Sequence, residues 1–143
     1  MIVGIGVDIV EIARINKIAL TYGEKFTDRI LSEIEKESLP ALKETKKINF
    51  IAGRFAAKEA FAKAMGIGIG QIAFKDINII SADTTTQDST TKDRAIKGKP
   101  MILITDKITR ILKENFGEFN YNIFASISHE RNNAIAMVVI EKI

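Results

Sequence analysis

Two acids and a lysine carry the chemistry this chain offers. Asp8 closes the apolar run Gly4-Ile5-Gly6-Val7-Asp8, and Glu59 lies far away in Arg54-Phe55-Ala56-Ala57-Lys58-Glu59-Ala60-Phe61-Ala62-Lys63-Ala64-Met65-Gly66. Wound as a helix, the second segment puts Glu59 beside Ala52, Phe55, Ala56, Ala62 and Lys63, so a neighbouring element can approach the carboxylate closely. An ionised carboxylate drawn out of water needs a cation or good hydrogen bonds, or its pKa rises until it is neutral. A Mg²⁺ ion shared by Asp8 and Glu59 would meet that need. Mg²⁺ prefers oxygen ligands, keeps several waters and is commonly bound by one or two carboxylates together with substrate phosphates. Lys63, one turn after Glu59, is then placed to meet such a phosphate. The plainer alternative makes Glu59 and Lys63 an i,i+4 surface pair worth roughly 0.2–0.5 kcal/mol, and Asp8 a helix cap.

Other candidates have competing explanations. Arg54 and Lys58 project from a different face than Lys63, and periodicity makes a solvated helix flank the expectation for both. Gly66, Gly68 and Gly70 allow close backbone approach, but their spacing fits neither a dinucleotide fingerprint nor a Walker loop, and ending a helix explains them more simply. His129 lies between Ser128 and Glu130 in an expected turn. Adjacent residues rarely assemble a nucleophile, base and orienter, so His129 is either a ligand contact or a plain turn histidine.

The elements that must position these groups follow from pattern. Met1 to Val10 is rich in β-branched residues and is expected to form a strand ending near Asp8, with Gly4 and Gly6 marking a bulge or a close approach. Glu11 to Leu20 places Ile12, Ile15, Ile18 and Ala19 at helical spacing and leaves Arg14 and Lys17 on an exposed basic face. Glu24 to Leu39 continues in helical style, with Ser32 and Glu35 at capping-box spacing and Pro40 closing it. Lys43 to Lys47 connects to a long helix from about Ile48 to Met65. A strand is expected over Ile72 to Ser81 and another from Gly98-Lys99-Pro100 to Thr105. Asp106 caps a helix from Lys107 to about Phe116, and strands Ile123 to Ile127 and Ala134 to Ile140 flank a hairpin turn. The arrangement is α+β, helices packed on a mainly antiparallel sheet, within a single domain over 1–143. The polar stretch at about 82–97 reads as a surface loop without chemistry.

Composition narrows the function classes. The absence of cysteine excludes thiolate catalysis and cysteine metal sites, and a single histidine excludes a multi-histidine zinc centre within one chain. A net charge of +3 favours acidic partners but falls far short of a nucleic-acid-binding patch. No apolar run reaches the roughly 20 residues of a membrane helix, and the first residues lack the basic region of a signal peptide, so no membrane partner and a cytoplasmic location are expected.

Three motifs together, Gly4-Ile5-Gly6-Val7-Asp8-Ile9-Val10-Glu11, Ile51-Ala52-Gly53-Arg54 through Gly66, and Ser126-Ile127-Ser128-His129-Glu130, resemble the holo-acyl-carrier-protein synthases, the small 4′-phosphopantetheinyl transferases. Gly98-Lys99-Pro100 matches a further family position. The resemblance implies transfer of the phosphopantetheine arm of coenzyme A to a serine of an apo acyl carrier protein, with release of 3′,5′-ADP. It implies Asp8 and Glu59 as Mg²⁺ ligands and Lys63 at the coenzyme phosphates; phosphoryl-transfer chemistry then gives Glu59, directly or through a metal-bound water, as acceptor of the serine proton. It further implies Arg54, Gly66, Ser128 and His129 as coenzyme contacts, Arg14 and Lys17 as the carrier-docking face, and a homotrimer with sites between subunits. A Mg²⁺-dependent nucleotide or pyrophosphate hydrolase is the alternative, with water in place of the serine. A noncatalytic module binding acidic proteins through its first helix is a third reading, and it has no need of Asp8 and Glu59.

Overall fold

The β-branched opening segment forms a strand because both of its faces have work to do. In the computed structural model, which describes residues 1–68, 70–81 and 98–143, β1 (Ile2–Glu11) pairs antiparallel with β5 (Asn133–Lys142), and β5 pairs antiparallel with β4 (Tyr121–His129), giving the order β1-β5-β4. The strand does not end near Asp8. Pairing continues through Asp8↔Ala136 to Glu11↔Asn133, so Asp8 sits inside the ladder. Strand alternation puts Gly4, Gly6, Asp8 and Val10 on the face that also carries Ala134, Ala136, Val138 and Ile140, all four of which are buried.

A long helix, α4 (Glu44–Met65), lies on that face. It begins a turn earlier than the expected Ile48, because Lys43 is extended and Glu44 both suits the helix N-terminus and pairs with Lys47 at 2.6 Å. The glycines of β1 explain the close packing. A Cβ on Gly4 would strike the Ala64 backbone carbonyl, and one on Gly6 the Ala60 carbonyl. Of the two expected roles for these glycines, close approach is observed at both, and the ladder register shifts between Ile2 and Gly4. From Ile51 onward every residue of α4 is buried or half-buried except Lys63.

Smaller helices complete the layer. α1 (Ile12–Tyr22) buries Ile12 and Ile15. The expected helix over Glu24 to Leu39 is instead interrupted, as α2 (Glu24–Ile30), α3 (Glu33–Lys36) and a 3₁₀ turn, Leu39–Ala41. The interruption has a local cause. Leu31 is extended and Ser32 starts a new helix, its hydroxyl accepting from Glu35 N while the Glu35 carboxylate accepts from Ser32 N at 2.7 Å. The expected strand over Ile72 to Ser81 shrinks to β2 (Ile79–Ser81), since Phe74–Asp76 makes a 3₁₀ turn that sets Phe74 against Phe55 at 5.4 Å. β2 pairs with the equally short β3 (Pro100–Ile102). Thr105 rather than Asp106 caps α5 (Asp106–Phe116), its hydroxyl accepting from Ile108 N. The stretch 82–97 lies outside the described residues. Helices packed on an antiparallel sheet are thus observed.

Candidate active site

β1 and α4 converge at Asp8. Its carboxylate stands on the inner face of the sheet, 15% exposed, and accepts from Lys63 Nζ at 2.9 Å; the same ammonium donates to the Val7 carbonyl at 3.1 Å. Lys63 therefore pairs with the distant acid rather than with Glu59 one turn earlier. That disposes of the i,i+4 surface pair and of Asp8 as a helix cap. Glu59 is half-buried beside them. Burial raises its pKa above the ordinary value, the Asp8 charge raises it further, and Lys63 works against both. The Lys63 ammonium is held charged chiefly by its hydrogen bond to Asp8.

Two carboxylates and one ammonium leave a net negative charge at this junction. Among the described residues no group of three or more histidine, cysteine or acidic side chains gathers. A metal here would take two protein oxygens and complete its shell with water and phosphate. That donor set fits Mg²⁺, which dehydrates reluctantly and accepts such partial protein ligation.

Arg54 and Lys58 contradict the expectation of a solvated flank, because both are buried. Lys58 is fully enclosed, with Nζ 2.6 Å from Glu35 Oε2 and 2.7 Å from the Ile30 carbonyl. Burial pushes its ammonium down to about 8 against the opposing pull of Glu35. Arg54 lies over the Phe50 ring at 4.4 Å and lines a cavity with Ile34, Glu35, Ser38 and Ser81. Burial also lowers its pKa, with Glu35 opposing. The Lys58–Glu35 pair escaped the sequence reading. The available signal was the spread of small apolar residues around most of α4, which leaves little solvated surface for Arg54 and Lys58.

The remaining candidates fall into separate places. His129 lies at the end of β4 rather than in the turn, and its Nε2–H donates to the Asn49 carbonyl at 2.8 Å. Gly53 makes room for the ring, since a Cβ there would lie 2.5 Å from Nε2. Ser128 precedes it and so points to the opposite face of the sheet. Gly66 is left-handed at φ 68° and ends α4 one turn after Lys63, its N–H donating to Ala62 and Lys63 carbonyls. Arg14 and Lys17 are exposed on α1.

The outer face of the sheet carries Ile5, Val7, Ile9, Phe124, Ile135 and Met137, each at least 42% exposed. A continuous apolar patch of this kind marks an interaction surface. Among the described residues no helix is long and apolar enough to cross a membrane.

Residues 4–111 match the family model of the 4′-phosphopantetheinyl transferase superfamily. A holo-[acyl-carrier-protein] synthase of Geobacillus sp. (strain WCH70) is 43% identical over 144 residues, covering 100% of this chain and 99% of that protein. The crystal structure of a holo-[acyl-carrier-protein] synthase from Neisseria meningitidis superposes with a TM-score of 0.79 at 36% identity, covering 99% of this chain and 100% of that one. A holo-(acyl-carrier-protein) synthase from Bacillus anthracis str. Ames, in complex with CoA (3′,5′-ADP), gives a TM-score of 0.72 at 37% identity over 99% of this chain and 97% of that one.

Proposed function

As the chain belongs to the 4′-phosphopantetheinyl transferase superfamily, we propose that it is a Mg²⁺-dependent enzyme that moves the 4′-phosphopantetheine arm of coenzyme A onto a serine of apo acyl carrier protein and releases 3′,5′-ADP. The observation that carries this reading is the meeting of Asp8, Glu59 and Lys63 across β1 and α4. The Bacillus anthracis relative solved with CoA (3′,5′-ADP) supports the donor and the leaving group.

Asp8 and Glu59 would hold the ion, which when bound offsets negative charge on the pyrophosphate oxygens. Lys63, tethered at the Val7 carbonyl, presents its ammonium to the same phosphates and stabilises the charge that grows as the bond to the leaving ADP phosphate breaks. The serine oxygen forms the new bond to phosphorus, and its proton passes to Glu59, directly or through a water. Arg54, Gly66, Ser128 and His129 bind the coenzyme. Arg14 and Lys17 on exposed α1 receive the acidic carrier protein by charge complementarity.

The apolar outer face supports a homotrimer in which the sheets pack together, with active sites between subunits, since Val7 and Ile9 of that face flank Asp8. The carrier protein as acceptor ties the reaction to fatty acid and lipid biosynthesis in the cytoplasm. The test is intact mass measurement of apo acyl carrier protein incubated with the protein, coenzyme A and Mg²⁺. A gain of one phosphopantetheinyl group is expected. Coenzyme cleavage with an unmodified acceptor would support the hydrolase alternative.

A further inference from the structure

Glu35 is a buried carboxylate that accepts three hydrogen bonds. Oε2 accepts from Lys58 Nζ at 2.6 Å and from Ser32 N at 2.7 Å, and Oε1 accepts from Ile79 N at 3.1 Å. Arg54 stands four residues before Lys58 in α4 and lines the same cavity as Glu35. Among the described residues it makes no ion pair, although it is only 9% exposed and its Nε is buried without a hydrogen-bond partner. A guanidinium is the stronger partner for a carboxylate, because its fork matches the two oxygens. An uncommitted Glu35 would therefore draw Arg54 to itself.

We propose that Lys58 is a positioning residue for coenzyme binding: by occupying Glu35 it keeps that carboxylate from capturing Arg54, and leaves the Arg54 guanidinium free to receive a phosphate of the coenzyme. The inference rests on the reading that Arg54 contacts coenzyme A. A mere core staple would need neither the vacant Nε nor a second cation facing the same carboxylate. It would also predict lost stability alone, with no selective effect on the coenzyme.

Steady-state kinetics with coenzyme A varied and carrier protein saturating test this on Lys58→Met, the Glu35→Gln/Lys58→Met double variant and Arg54→Ala, with folding followed by circular dichroism. Lys58→Met is expected to raise KM for coenzyme A about tenfold with kcat little changed, a difference of about 1.4 kcal/mol. The double variant, which has no carboxylate left to capture Arg54, is expected to restore KM to near the wild-type value. Arg54→Ala is expected to raise KM as Lys58→Met does. If Lys58→Met does not fold, Lys58→Gln, which keeps the Glu35 carboxylate but removes the ammonium, takes its place: a raised KM supports the inference and an unchanged one overturns it. A double-variant KM as high as in Arg54→Ala also overturns it. An unchanged KM in folded Lys58→Met beside a raised one in Arg54→Ala overturns the inference alone. An unchanged KM in Arg54→Ala removes the coenzyme reading of Arg54 and the inference with it.

Discussion

Lys63 Nζ lies 2.9 Å from Asp8 Oδ1 across 55 positions of sequence, and this contact joins the strand and the helix that together form the site. The pair is partly solvated, with Lys63 53% exposed, so solvent screens it and its contribution to stability is small. On the proposed function, its value lies in placing a cation and a carboxylate side by side where a phosphate would be received.

Glu59→Gln separates function from stability. The folded-state pKa of Glu59 is raised, so its contribution to stability is fully present below the unfolded value and is lost as pH rises through the folded one. At neutral pH the ionised group therefore burdens the fold. Glu59→Gln is expected to lose about 10²–10³-fold in transfer rate while its melting temperature at pH 7 equals or exceeds that of the wild type. Melting curves from pH 7 to pH 4 check the sign, and the difference between the two proteins should shrink as pH falls.

The buried pair behaves oppositely. Lys58→Met removes the hydrogen bonds to Glu35 and to the Ile30 carbonyl, and with Arg54 drawn over to compensate Glu35 only in part it is expected to cost about 1–3 kcal/mol, whereas Glu35→Gln/Lys58→Met removes the charge along with its partner and should cost less. Urea unfolding of both variants measures the difference.

Gly6→Ala tests the close approach of β1 to α4. The added methyl meets the Ala60 carbonyl, a backbone atom that can yield only if the helix moves. A loss of about 1–3 kcal/mol in stability is expected, with transfer activity falling because Asp8 and Glu59 no longer face each other correctly. Denaturant melts and the transfer assay read the two effects.

Arg14→Glu places an acid on the exposed face of α1. Affinity for the acidic carrier protein should fall, chiefly through a slower association rate that no longer depends steeply on salt, while KM for coenzyme A stays unchanged. Stopped-flow association at several ionic strengths is the check.

Met137→Lys charges the centre of the outer sheet face. If the outer face forms the proposed homotrimer, it is expected to shift sedimentation equilibrium from trimer to monomer and to lower transfer activity, although no group on the inner face has been altered.

The α+β class, the strand at each end and the long Glu59 helix were all legible, because hydrophobic periodicity and β-branched content report which side of an element is buried. What was not legible depended on contacts between distant segments. Ser32 and Glu35 were recognised as a capping box, yet nothing local told that the box begins a separate helix whose glutamate is fixed by Lys58, 23 residues later. Periodicity alone puts Arg54 and Lys58 at the surface for the same reason, whereas both are buried. The length of β1 was set by its ladder to β5, which carries pairing past Asp8 to Glu11. The pairing of Lys63 with Asp8 was likewise hidden, since spacing alone favoured Glu59 as its partner.

The most direct test of the shared-cation site is calorimetric titration of Mg²⁺ into the protein saturated with coenzyme A, for the wild type, Asp8→Asn and Glu59→Gln. One saturable binding event is predicted for the wild type and none for either variant. Wild-type binding in both variants would contradict the account, because the ion would then be held without the two carboxylates that β1 and α4 bring together.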